Sequence, residues 1–200
     1  MPTFMGGNFD GKTAFVNTMK NNPFGEFPSG IYNWFLYSSG MYFGELIRQV
    51  FIDEHKSDFG EILVHHLAAI FLIFGSAYAN LVGIGAIILW LHIVTDIPIS
   101  AGRISTTQKS SFAEILGGVI LVCVILPSWI YLRVGCFLFW IINIFTNPAC
   151  AYPSHLAHLD IFLQLNGLYL CVLQLLHIYW IILMFNILIG FLRGAGLHDL

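Results

Sequence analysis

Charge is scarce in this 200-residue chain: 8 Lys or Arg and 11 Asp or Glu make up 10% of it, where a soluble domain carries roughly 25%. A surface so poor in charge is not that of an ordinary soluble domain. Basic runs are missing too, and the net charge is −3, which excludes nucleic acid as a partner, because phosphate recognition needs Lys and Arg clustered on one face. The polar residues 1–30 hold Lys12 and Lys20 but no compact apolar stretch, so they do not read as a cleavable secretory signal. Cys123, Cys136, Cys150 and Cys171 form no C-x-x-C pair. They suggest neither a disulfide framework nor a zinc knuckle and read as packing residues. What is abundant is apolar: 58% of the residues are hydrophobic and the mean hydropathy is +0.80. Lipid is the solvent this composition suits, and the chain reads as an all-α, multi-pass membrane protein.

Apolar length divides the chain into a polar or interfacial segment 1–30, a transmembrane domain 31–194 and a short tail 195–200. At 1.5 Å of rise per residue a span needs about 20 apolar residues. Span A covers 31–52, and after the charged loop 53–58 comes span B, 59–80, with Glu61, His65 and His66. Span C, 81–102, follows almost without a loop and carries His92, Asp96 and Pro98. A polar loop 103–111 leads to span D, 112–131, which Pro127 is expected to kink. The stretch 133–145 covers only about half a membrane and reads as a continuation of D rather than a re-entrant piece. A loop with Pro148, Pro153, His155 and His158 precedes span F, 161–192. The expectation is a bundle of about five transmembrane helices, or six if 133–145 crosses separately.

Basic residues orient such a bundle. With five crossings, Arg48, Lys56, Arg103, Lys109 and Arg193 fall on one side and Lys12, Lys20 and Arg133 on the other. That excess makes the side holding the C-terminus cytosolic.

Ionisable groups inside spans cost about 2.5–3.5 kcal/mol on insertion scales and mark function by default. His65 lies about seven residues into B and Asp96 about seven before Arg103, so each sits near 10 Å depth on antiparallel neighbours. His92 and Asp96 are four apart and share a face, as do Glu61 and His65, whereas His66 points about 100° from His65. A carboxylate can then orient an imidazole, which near neutral pH serves as nucleophile or general base in acyl transfer. A plainer reading makes these histidines interhelical hydrogen-bonders. Metal ligation is a third, but the H-x-x-x-H and H-x-x-H-H clusters of membrane di-iron enzymes are missing and His155 and His158 stand alone in a loop, so no metal ligand is assigned. Asn166 and His177 read as packing groups, and Glu45 with Arg48 as an interfacial ion pair.

The segment Asp58-Phe59-Gly60-Glu61-Ile62-Leu63-Val64-His65-His66, followed by Leu91-His92 and Asp96, resembles the signature of ceramide synthases within the TLC-domain family. The resemblance runs from Asn22-Pro23-Phe24 and Ser29-Gly30-Ile31-Tyr32 through Arg133, Gly135, Phe137, Trp140 and Asn143 to Leu173-Gln174-Leu175-Leu176-His177-Ile178-Tyr179-Trp180, most of the chain. It implies a TLC-type helical barrel, incomplete here because the family has one or two earlier spans. It also implies an endoplasmic-reticulum enzyme that joins the acyl group of acyl-CoA to the amine of a sphingoid base.

Carried over residue by residue, the resemblance makes His65 or His66 the group that attacks the thioester, with His92 and Asp96 orienting it and managing protons. Candidate substrate-binding residues are Asn80, Trp140 and His177, and by charge Lys56, Arg103 and Lys109 at the cytosolic mouth. Acyl-CoA is a co-substrate and no cofactor is implied. Expected partners are membrane lipids, acyl-CoA and a sphingoid base, with a homodimer or a larger synthase as the assembly. The chain departs from the family at Ile93, where an Asp is usual, and at Ala79, Gly83 and Ser100, where Asn, Arg and Glu are usual. These departures keep open a non-catalytic lipid-binding or regulatory TLC-type protein, and the histidines keep open a metal-dependent lipid oxidase.

Overall fold

The computed structural model describes residues 29–52, 58–107, 110–146 and 157–193. Among them every regular element is helical and no strand occurs. This is what lipid demands of an open chain, since only a helix satisfies its backbone groups within the segment. The order is α1 (Ser29–Phe51), α2 (Phe59–Tyr78), α3 (Val82–Thr107), α4 (Ser111–Ile120), π1 (Leu121–Ile125), α5 (Leu126–Ser128), π2 (Trp129–Cys136), α6 (Phe137–Thr146) and α7 (Ala157–Leu192). Four apolar runs among the described residues are long enough to cross a membrane: Phe59–Tyr78, Val82–Gly102, Ile115–Thr146 and Asp160–Leu192. The expected five reduce to these four plus α1, which has the length at 23 residues but whose last two turns carry Glu45, Arg48 and Gln49. Only 6% of the most apolar stretch of α7 is buried within the protein. An apolar surface that extensive is stable against acyl chains and would not be in water.

Several expectations are corrected. The loop placed at 103–111 is shorter, because α3 continues to Thr107 and Ser110 then caps α4 by accepting the Ala113 N–H at 3.2 Å. Span D and 133–145 form one helical run, as favoured, so Arg133 does not flank a membrane face and drops out of the charge count. Pro127, which lacks an N–H, lies between two π-helical stretches in which the bonding shifts from i−4 to i−5, as in Leu126 N–H to Leu121 O. Cys123 is exposed and not packed, while Cys136 and Cys171 are half-buried free thiols. Cys150, the segment 1–28, the loop with His155 and the tail 195–200 lie outside the described residues, as does the side chain of His158.

The chain forms two compact units, Met1–Leu89 with Phe139–Leu173, and Trp90–Leu138 with Gln174–Leu200. In the first, α1 and α2 make an antiparallel hairpin. Gln49 Nε2 donates to the Phe59 carbonyl at 3.1 Å near the loop, and Tyr42 meets His66 further in. The first half of α7 packs antiparallel on α2, with Phe71 stacked on Tyr169 at 5.1 Å and Tyr78 against Phe162 at 4.5 Å. Between these pairs Gly75 lets the backbones close, since a Cβ there would lie 2.6 Å from Asn166 Oδ1. The α2–α3 turn is tight because Asn80 takes φ 53, a left-handed conformation that Asn tolerates better than most residues. In the second unit Leu121, Ile125 and Leu126 form a core against Ile99, Ile181, Met184 and Leu188.

Candidate active site

The polar centre of the second unit is built around Arg133. This residue lies near the middle of the apolar run Ile115–Thr146 and is 2% exposed. An unpaired cation there would cost about 2.5–3.5 kcal/mol on insertion scales. Acceptors from two helices meet it. On α3, Thr95 Oγ1 accepts from Nε at 2.5 Å, and the His92 carbonyl and Asp96 Oδ1 both accept from Nη2, at 3.0 and 2.6 Å. On α7, His177 Nε2 lies 3.1 Å from Nη1. A guanidinium has donors only, so Nε2 accepts and the ring proton of His177 resides on Nδ1.

Neighbouring side chains fix the geometry. Trp129, four positions before Arg133, holds its ring 4.9 Å from the guanidinium carbon and donates Nε1 to the His177 carbonyl at 3.0 Å. Thr95 donates back to the Leu91 and His92 carbonyls at 3.0 and 2.9 Å, which pins the turn that carries His92. The His92 ring is buried, 5.4 Å from the Phe137 ring and 5.2 Å from that of His177. Asp96 shares the helix face of His92 as the spacing predicts, but its carboxylate is engaged by Arg133 and its side chain is 54% exposed. One end of the ion pair is thus sealed and the other open, an arrangement suited to holding an anion at the edge of an apolar interior.

His65 and His66 lie on α2 in the first unit. His65 is buried and His66 half-buried, with ring centroids 5.7 Å apart. The Tyr42 ring stands edge-on to His66 at 6.4 Å, and His66 Nδ1 has no hydrogen-bond partner among the described residues. An imidazole nitrogen not committed to the fold is what nucleophilic catalysis requires.

Of the sequence-selected residues, the structure gathers His92, Asp96 and His177 in one unit and sets His65 beside His66 in the other. Trp140 is buried in the first unit, and Asn80 serves the α2–α3 turn. Ile93 is half-buried. Lys56 and Lys109 lie outside the described residues, as does the side chain of Arg103. Glu45 and Arg48 form the expected exposed ion pair at 2.6 Å. Sequence reasoning counted Arg133 as a charge flanking a membrane face and within the family resemblance but gave it no place in the site, and it gave no role to Thr95 or Trp129. The signal for Arg133 was a lone charge inside an apolar run.

A family model described as the TLC domain matches residues 8–186. The chain belongs to the TLC-domain family. It is 32% identical to ceramide synthase 5 of Homo sapiens over 182 residues, 90% of this chain and 44% of that protein. To ceramide synthase hyl-2 of Caenorhabditis elegans it is 30% identical over 189 residues, 90% of this chain and 55% of the relative. An ASC1-like protein of Solanum lycopersicum is 29% identical over 166 residues, 81% of this chain and 52% of the relative. The chain spans about half the length of the curated relatives it matches. No solved structure matches it significantly.

Proposed function

We propose that this protein is an N-acyltransferase of the ceramide-synthase type, acting in the endoplasmic-reticulum membrane with its C-terminus cytosolic. In the first half-reaction a neutral imidazole nitrogen of His65 or His66 bonds to the thioester carbonyl of acyl-CoA, and the carbon–sulfur bond breaks to release the CoA thiolate. In the second, the sphingoid amine bonds to the acyl carbon, the imidazole leaves, and the proton lost by the amine passes by way of His92 and Asp96 to the CoA thiolate, giving the free thiol. A thioester lies above an amide in energy, so this route calls for no metal or nucleotide.

The observation that carries the reading is the paired histidine on α2, with one ring nitrogen uncommitted, in a chain whose named relatives are ceramide synthases. Lipid, acyl-CoA and a sphingoid base are the partners this chemistry requires. Assembly as a homodimer, or with a larger synthase, belongs to the same reading.

The test is intact-mass analysis of the purified chain after incubation with a long-chain acyl-CoA. A gain of one acyl group is expected, discharged as an amide when sphingoid base is added, and lost in H65A or in H66A. A second reading, a TLC-type protein that binds lipid without chemistry, is favoured by Ile93 at the position where the family carries an acid. Lipid that co-purifies with a chain forming neither adduct nor amide would establish that reading and end the first.

A further inference from the structure

We propose that Arg133 is a positioning residue for acyl transfer, aiming the Asp96 carboxylate and holding His177 in its Nδ1–H tautomer; this rests on the acyltransferase reading. The argument is one of donors and directions. Arg133 reaches Thr95 Oγ1 at 2.5 Å through Nε, His177 Nε2 at 3.1 Å through Nη1, and both the His92 carbonyl and Asp96 Oδ1 through Nη2, at 3.0 and 2.6 Å. A planar guanidinium supplies those directions at once, whereas a lysine ammonium is a single point with three hydrogens.

The consequences fall on α3 and α7 together. The turn 92–96 is held at His92, Thr95 and Asp96 by one rigid group. An imidazole next to an obligate donor must present a lone pair to it, so His177 carries its remaining hydrogen on Nδ1, the opposite side of the ring. Because Arg133 is buried and a guanidinium offers donors only, this setting is fixed in the fold before substrate arrives. The π-helical stretch Trp129–Cys136 contains Arg133 itself, and such wide turns are frequent where a helix presents a functional group. Asp96, half-exposed while its partner is sealed, is the member of the network open to an incoming amine.

The tautomer is read by nitrogen-15 NMR of the histidine-labelled full chain in bicelles, with His177 assigned by substitution, and turnover is measured on the same preparations. Wild-type His177 is expected to show a protonated Nδ1 and a bare Nε2. R133M should convert it to a tautomer mixture and lower kcat by about 100-fold, the size of losing one positioned acid–base group, with the KM for acyl-CoA little changed. R133K keeps the charge but loses the fork, and should not rescue kcat. An Nε2–H tautomer of His177 in the active wild-type protein overturns the proposal without need of any variant and leaves the acyltransferase reading standing. Full rescue by R133K overturns it also, since charge alone would then suffice. Wild-type protein with the Nδ1–H tautomer but no turnover overturns the acyltransferase reading and with it the role given to Arg133.

Discussion

Replacing Thr95 by Val isolates one bond of the buried network. Thr95 is 1% exposed, and its hydroxyl accepts from Arg133 Nε at 2.5 Å while donating to carbonyls of its own helix. Valine has nearly the same shape and lacks only the hydroxyl, so the change takes the Thr95 acceptor away from a buried guanidinium N–H. Neutral interhelical bonds in membranes are worth about 0.6 kcal/mol on average and about 1.7 at most. Bonds to charged groups contribute about 1.5–3 kcal/mol. Arg133 is charged and 2% exposed, so the second range governs, reduced by partners the unfolded helices find in lipid. The expected coupling between positions 95 and 133 is about 1.5–2 kcal/mol, or roughly 10- to 30-fold in the folded-to-unfolded ratio. Reversible unfolding in bicelles of the wild type, T95V, R133M and the double variant measures it. In the R133M background T95V should cost under about 0.5 kcal/mol, because the donor is gone and back-bonding to a helix carbonyl adds little. Additivity of the two single changes within about 0.3–0.5 kcal/mol would refute the bond as an energetic link.

Two further outcomes follow from the packing. G75A should destabilise the protein by about 1–3 kcal/mol through overpacking, because the added Cβ would stand 2.8 Å from Asn166 Cγ and drive that side chain off its 2.7 Å bond to the Phe162 carbonyl. Adding N166A should recover most of the loss, and a double variant as unstable as G75A alone would contradict the close approach of α2 and α7. W129F keeps an aromatic ring beside Arg133 but loses the bond to the His177 carbonyl, for an expected cost of about 0.5–1 kcal/mol, read in the same unfolding assay. A cost above that of T95V would mean that Trp129, and not the Thr95 hydroxyl, is the main support of the guanidinium.

Much of the architecture was legible because membrane insertion is a local property. Whether a stretch of about 20 residues enters lipid depends on its own composition. The apolar runs behind α2, α3 and α7 therefore came out within a few residues of their observed ends. The continuity of 112–145 was also legible, since half a membrane thickness is too short to stand alone. The tight turn at Asn80 left only a missing loop as its mark, and the extension of α3 to Thr107 left none, because polar residues at a helix end and in a loop look alike by composition. Among the candidate site residues, the spacing of His92 and Asp96 predicted a shared face, and the paired histidines announced themselves by their cost in lipid.

The sequence by itself determined the solvent, the helices and the short-range pairs, because each depends on residues within a turn or a span of one another. Tertiary structure alone decided that Arg133 belongs to the interior. Its partners Asp96 and His177 lie 37 and 44 positions away, and no window of hydropathy reports whether a charge in an apolar run has met its counter-ion. A lone arginine between two apolar stretches is equally compatible with a membrane boundary and with a buried ion pair. The difference is the electrostatic energy of groups that only the folded chain brings within hydrogen-bond reach.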